Sequence, residues 1–515
     1  MKISEKVPLN HILFLCLMVF LSFFVSLGNV PLFDLDEGAF SEATREMLLN
    51  GDYITTYLNG DLRFDKPILI YWCQAISVTL FGLNEFALRL PSALSATIWV
   101  MAIYMFTRQF LDIRRAFFAA FFMMVSIQVT VIAKAAIADA LLNMCLALTM
   151  FGIYRYFFFR TKKYIYFAYL FMGLGVLTKG PVAILIPFAV SLCFFAIKKE
   201  LRIWMGAVMN PIGLMIFLLI AAPWYIAEYI AQGHAFIDGF IFNHNINRFK
   251  TSFEGHGGSI LYYIPIVLGG VLPNTTLCLK ALSQVKNLIK DEMPLFSLIW
   301  FFFVFFFFSL SGTKLPHYVI YGYTPMFILM AMCIDKVKND FLLFLPPLLL
   351  VIILFFLPEI FGNVEALIKD EFARIVMSES IHYFDVSYRF ILGIAIIGFL
   401  ALSFYKKLNR PVKLILSGLM IVAIVNLKVL PIVARVQQVP IKEAAMIAKE
   451  EDYDVVMWNL NTPSFIVYQG KLVQKRKPKD GDIVLTKVNK LSKIEDYRVI
   501  YQKNGIVMVE VIRAK

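Results

Sequence analysis

The chain alternates long apolar runs with short polar segments for most of its length. Thirteen runs are long enough, or nearly so, to cross a bilayer: 9–30, 86–110, 116–133, 139–159, 164–179, 180–197, 205–230, 259–280, 294–312, 317–334, 340–358, 388–405 and 412–431. The fifth and sixth meet at Lys179-Gly180-Pro181, a tight-turn signal. Directly after the first run comes an acidic stretch, 31–67, with Asp34, Asp36, Glu37, Glu42, Glu46, Asp52, Asp61 and Asp65 against Arg45, Arg63 and Lys66. From Asp36 onward, Phe40, Ala43, Thr44, Met47 and Leu48 recur at helical spacing. This predicts an amphipathic helix lying along the membrane surface, with first-turn carboxylates at its positive end. A solvated acidic loop is the other reading. From about 432 the pattern changes to a helix-like start at 441–449, then strand-like runs at 454–458, 483–485, 497–501 and 506–511.

The predicted architecture is a polytopic α-helical membrane protein of about 13 transmembrane helices. Residues 1–431 form the membrane domain, with an outer loop at 31–85, and 432–515 form a small α/β domain. Composition agrees: the 515 residues are 60% hydrophobic and 17% charged, with mean hydropathy +0.73, which excludes a soluble globular chain. The net charge of +13 would suggest nucleic acid in a soluble protein. Here the basic residues cluster in alternate loops, such as Arg108, Arg114 and Arg115, or Lys406, Lys407 and Arg410. That is the positive-inside pattern for a cytoplasmic N-terminus, and no nucleic-acid partner is expected. The first run lacks a small-residue cleavage site and reads as a retained anchor. The six cysteines form no CxxC pair and are expected in neither disulfides nor a thiolate metal site.

Ionisable groups at membrane depth are costly unless they face a cavity or a partner. In this topology they accumulate at the outer ends of spans: Asp36 and Glu37; Arg63, Asp65 and Lys66; Lys134 and Asp139; Lys179; Arg248 and His256; Lys314, His317 and Tyr318. Several cations and a few carboxylates around one mouth suit a lipid phosphate and a group reacting beside it. Cations would hold the phosphate and stabilise charge developing on it, and a carboxylate would orient the attacking group or take its proton. Blander readings stand beside these. Lys179 and Lys314 can snorkel to headgroups, Asp139 can cap the helix that follows it, His256 can be a loop residue, and Asp36-Glu37 can cap the surface helix.

The segment DEGAFSEATREMLLNGDYITTYLNGDLRFDKPILIYW resembles the first outer loop of the lipid A aminoarabinose transferase family. That family sits among the integral-membrane glycosyltransferases of the GT-C fold, with the protein O-mannosyltransferases. The resemblance continues at IADALL, GLGVLTKGPVAILIP, APWY, FNHNINRF, GHGGSILYY and SGTKLPHYVI, over most of the first 330 residues. It implies inverting transfer of a sugar from a polyprenyl phosphate to an acceptor, with Asp36 as the essential carboxylate and Lys66 gripping the donor phosphate. It further implies Asp65 and His256 at a bound divalent metal, and Asp139, Lys179, Arg248 and Lys314 at other cavity positions. Departures are visible. The family's Asp-Glu-x-Arg-Tyr is Asp36-Glu37-Gly38-Ala39-Phe40 here, Arg63 replaces an aromatic residue, and Asp65 replaces a Glu.

The resulting expectation is a glycosyltransferase of the bacterial inner membrane, working on the periplasmic face with lipid A or a related envelope glycolipid as acceptor. Asp36, Glu37 and Asp139 are the expected catalytic carboxylates. Arg63, Lys66, Lys179, Arg248, Lys314, His317 and Tyr318 are expected to bind substrate. A protein O-mannosyltransferase acting on Ser or Thr is the alternative within the same chemistry. A lipid or sugar transporter is the alternative outside it, disfavoured because no internal repeat is evident.

Overall fold

Lipid tolerates segments that satisfy their backbone hydrogen bonds internally, and the apolar runs of this chain fold as helices. The structure, a computed structural model, describes residues 9–247 and 257–515. Among the described residues six helices are long and apolar enough to cross a membrane: Glu85–Phe110, Asp139–Phe159, Pro211–Gln232, Glu292–Leu310, Val386–Phe404 and Arg410–Gln437. Two more runs are bent pairs, Ile113–Val125 with Ile127–Ala133 at 68° and Asp340–Phe355 with Leu357–Leu367 at 53°. The chain is a multi-pass membrane protein.

Several expected spans are divided. The run 259–280 becomes Ile260–Gly270 and Thr275–Ser283, on either side of Pro273, which has no N–H to continue a helix. The run 116–133 breaks at Ser126, whose hydroxyl donates to the Gly270 carbonyl at 2.6 Å. Lys163–Lys179 and Val182–Ile197, expected as two segments meeting in a turn, are two helices turning at Gly180, where φ is +73° and a side chain would be strained. One helix escaped the periodicity reading. Leu69–Phe81 lies inside the expected outer loop, is apolar but too short to span, and exposes Ile76, Leu80 and Phe81.

The helix expected along the membrane surface forms at Asp36–Asn50 but is not at a surface. Every residue from Glu37 to Met47 is buried. Its carboxylates survive burial because each is matched. Glu37 pairs with Arg89 at 2.8 Å, Glu42 pairs with Arg45 at 2.7 Å, and Glu46 accepts the Asn59 and Gly60 N–H groups. Asn59-Gly60 is the two-residue turn of a hairpin pairing Tyr57–Leu58 with Asp61–Leu62, and both turn residues have positive φ, as such a turn requires. This hairpin delivers Arg63, Asp65 and Lys66 to the outer face of the bundle. Pro67 disfavours helical backbone at Lys66, and the next helix starts at Leu69.

The strand pattern of the tail is reproduced. Gln474–Lys475, Val455–Met457, Ile483–Lys487, Ile506–Ala514 and Ile494–Lys503 form one five-stranded sheet in that order, parallel on the first side and antiparallel on the second. Val439–Glu450 and Pro463–Gln469 cover one face, and apolar side chains such as Val455, Met457, Leu485 and Met508 fill the space between. This unit docks on the acidic stretch. Ser464 donates its N–H to Asp34 at 2.9 Å, Tyr468 and Lys442 donate to Glu85, and Asn59 exchanges hydrogen bonds with the backbone of Val473.

Gly38 lets the two parts approach. A Cβ there would lie 2.5 Å from the Ser464 nitrogen and 2.2 Å from Asp34 Oδ1. Gly38→Ala is expected to cost about 1–3 kcal/mol by overpacking. It should also move Asp36, two residues away. Thermal unfolding and transfer rate measured on one preparation check this; wild-type values for both would show that the contact yields freely.

Candidate active site

Three structural features place charged side chains in one enclosure. Asp36 is the first residue of its helix and stays exposed while Glu37 beside it is buried. The hairpin and Pro67 present Arg63, Asp65 and Lys66. The turns before Asp139–Phe159 and after Lys163–Lys179 bring Asp139 and Lys179 together. A small polar cavity of about 70 Å³ is lined by Asp36, Arg63, Asp65, Lys66, Asp139, Lys179, His244, His317 and Tyr318, with Phe40, Ile137 and Leu315. Eight of these twelve lining positions are among the residues singled out in the sequence.

Within the cavity the groups are unequal. Lys179 Nζ lies 2.7 Å from Asp139 Oδ1, which also accepts the Tyr321 hydroxyl at 2.7 Å. Lys179 also sits over the rings of Tyr318 and Tyr321, at 5.6 and 5.5 Å. Asp139, an expected catalytic carboxylate, lines the cavity, is 3% exposed and engages Lys179 and Tyr321. Asp65 faces His244 at 2.7 Å and Arg63 at 3.3 Å. Burial alone would raise its pKa, but the His244 hydrogen bond and the charges of Arg63 and Lys66 hold it far below the usual carboxylate range. These contacts favour the ionised form of Asp65. Arg63 is 8% exposed and lies over the Phe40 ring at 5.2 Å, and Lys66 Nζ donates to the Asp65 carbonyl at 2.9 Å. Asp36 differs: among the described residues it has no hydrogen-bond partner and no ion-pair partner.

Glu37 is a correction. It was expected to share the chemistry of Asp36, but both its oxygens are fully engaged. They accept Arg89 Nε and Nη2 at 2.8 Å each, the Ala136 N–H at 2.6 Å and the Phe33 N–H at 2.8 Å. Arg89 spends its other donors on the carbonyls of Leu27, Val30 and Pro31. The pair clamps the end of the first helical segment to Glu85–Phe110 and so fixes where Asp36 stands.

Lys314, expected to bind substrate, does not line this cavity. Its Nζ donates to the Ser311 carbonyl at 2.6 Å, it is 7% exposed, and it lies against Gly258 rather than on the cavity wall. Arg248 and His256 lie outside the described residues. The expected metal pair of Asp65 and His256 is thus seen only at Asp65, whose oxygens face His244 and Arg63. Among the described residues no group of three His, Cys, Asp or Glu is arranged to hold a metal ion. His244 was missed by residue reasoning, although it sits in the NHNINRF segment that the sequence singled out.

Two larger spaces adjoin the cavity. One, of about 850 Å³, opens beyond Arg63, Asp65 and His244 and is bounded by Lys475 and Arg476 of the C-terminal unit. The other, of about 220 Å³, shares Asp36 and Ile137 with the cavity and is mostly apolar.

Residues 65–226 match the family model described as dolichyl-phosphate-mannose-protein mannosyltransferase. A protein of Aquifex aeolicus is 29% identical over 345 residues, 67% of this chain and 78% of that one. The undecaprenyl phosphate-alpha-4-amino-4-deoxy-L-arabinose arabinosyl transferase 1 of Pseudomonas fluorescens is 30% identical over 300 residues, 57% of this chain. The match spans 54% of that transferase, about half its length. The crystal structure of ArnT from Cupriavidus metallidurans bound to undecaprenyl phosphate superposes with TM-score 0.81, 18% identity and 98% coverage of both chains.

Proposed function

We propose that this chain, a GT-C membrane protein related to the lipid A aminoarabinose transferases, moves a sugar from a polyprenyl phosphate to lipid A or a related envelope glycolipid. The observation that carries the proposal is one cavity lined by Asp36, whose carboxylate has no partner among the described residues, together with Lys66 and Lys179. In the proposed step an acceptor oxygen attacks the anomeric carbon from the face opposite the phosphate. The bond from that carbon to the phosphate oxygen breaks, its electron pair stays on the oxygen, and configuration inverts. Lys66 and Lys179 stabilise the charge arriving on the leaving phosphate. Asp36 takes the proton of a hydroxyl acceptor, or orients an acceptor phosphate that is already ionised. His317 and Tyr318 complete the wall on the phosphate side. Among the described residues the Asp65 oxygens meet His244 and Arg63, and Asp65 with His256 would be the residues to hold a divalent metal if one is bound.

The proposed topology has thirteen passes in the bacterial inner membrane, with residues 1–431 as the transferase domain. An odd number of passes from a cytoplasmic N-terminus places the cavity and the 432–515 unit in the periplasm. The activity named for the arabinosyl transferase of Pseudomonas fluorescens and the undecaprenyl phosphate bound to ArnT support the transferase reading, as does the match to a mannosyltransferase model. That last match also keeps a Ser or Thr acceptor as the second reading. Mass spectrometry of envelope glycolipids and glycoproteins with and without the gene separates the two. Loss of a sugar substituent from lipid A is the expected result, and loss from glycoproteins alone would favour the second reading.

A further inference from the structure

The apolar chamber beside Asp36 contains a cation that the chemistry above does not use. Lys134 lines it, is 7% exposed, and donates to the Val25 carbonyl at 2.5 Å and to Asn426 Oδ1 at 2.6 Å. Both partners are neutral, and among the described residues no carboxylate pairs with this ammonium. The charge that acts on it most is Arg89, which is cationic and already engaged by Glu37. A buried ammonium without a counter-charge is expensive. Burial pushes the Lys134 amine down to about 7, with Arg89 adding to the effect, so an anion entering the chamber would restore its full charge.

The remaining walls say what kind of anion fits. The chamber, of about 220 Å³, has apolar walls at Leu27, Ile132 and Leu430; of its carboxylates Glu37 is engaged by Arg89 and Asp34 by Ser464, which leaves Asp36, and Leu35 and Val131 stay 45% and 38% exposed. Such a rim admits a hydrocarbon chain. Asp36 and Ile137 line both this chamber and the polar cavity. A headgroup at Lys134 would therefore adjoin Asp36, which also lines the cavity of Lys66 and Lys179.

We propose that this chamber is a second anion-binding subsite, in which Lys134 holds the phosphoryl headgroup of the acceptor lipid beside Asp36. The inference rests on the transferase reading and adds a place and a charge requirement for the acceptor. It also supplies the cation that the family places three residues after the essential Asp and that is Ala39 here.

The test is steady-state transfer by the purified full-length protein from a labelled undecaprenyl-phosphate sugar, with lipid A and phosphatase-treated lipid A as acceptors. Lys134→Met is expected to raise the KM for lipid A about tenfold, as for loss of a charge-assisted contact. The donor KM should stay within about twofold, and Lys134→Arg should recover most of the acceptor affinity. Wild-type protein should bind the phosphatase-treated acceptor about as weakly as Lys134→Met binds lipid A. An unchanged acceptor KM in Lys134→Met, a donor KM that rises in step, or equal wild-type affinity for the two acceptors would overturn the proposal. The last comparison needs no variant and holds if Lys134→Met does not fold. Wild-type protein that moves no label to any lipid would instead overturn the transferase reading itself.

Discussion

Asp36→Asn is expected to lower sugar transfer by roughly 10²–10⁴-fold, the range for removing a positioned proton acceptor. The fold should be unaffected. Asp36 is exposed and, among the described residues, has no hydrogen-bond or ion-pair partner, so the amide takes its place without orphaning another group. The same substitution at Asp139 would behave differently, because it would strip Lys179 of its partner. Single-turnover transfer and thermal unfolding, measured together in detergent, separate chemistry from stability. A variant that transfers at the wild-type rate would remove Asp36 from the mechanism.

The second large effect concerns stability and lies one residue along. Arg89→Leu leaves Glu37 as a buried carboxylate without its counter-charge, at a cost of about 3–5 kcal/mol. It also orphans the carbonyls of Leu27, Val30 and Pro31. The expected outcome is a marked fall in unfolding temperature and in membrane yield, with transfer lost because Asp36 is no longer held in register. Glu37→Gln should be milder, since the amide oxygen still accepts one of the Arg89 donors. Unfolding curves for both variants decide the matter. A stable, active Arg89→Leu protein would show that something else fixes Asp36.

Much of the site was legible because charge is scarce and expensive at membrane depth, so Asp36, Arg63, Asp65, Lys66, Asp139, Lys179, His317 and Tyr318 stood out against an apolar background. Their roles were less legible. Asp36 and Glu37 are adjacent and chemically alike, yet one faces the cavity and the other is locked to Arg89, which lies 52 residues away. No local pattern reveals such a partner. Asp139 is similar, since its fate depends on Lys179 from another helix. His244 was hidden because a histidine between two asparagines carries no periodicity. The amphipathic reading of 36–50 placed a real helix on the wrong surface: the pattern reported one apolar face, while hydrogen bonds from distant segments made the polar face buriable too. In the tail the strand runs were plain, but the docking at Asp34, Asn59 and Glu85 is a tertiary fact.

Binding of undecaprenyl phosphate to purified wild-type, Lys66→Met and Asp36→Asn proteins puts the shared cavity to the most direct test. Lys66→Met should bind about tenfold or more weakly than wild type, as expected for a lost charge-assisted phosphate contact, and Asp36→Asn should bind as tightly as wild type. Equal affinity in wild type and Lys66→Met would mean that the phosphate is held elsewhere, and that the carboxylate and the cations do not serve one reaction.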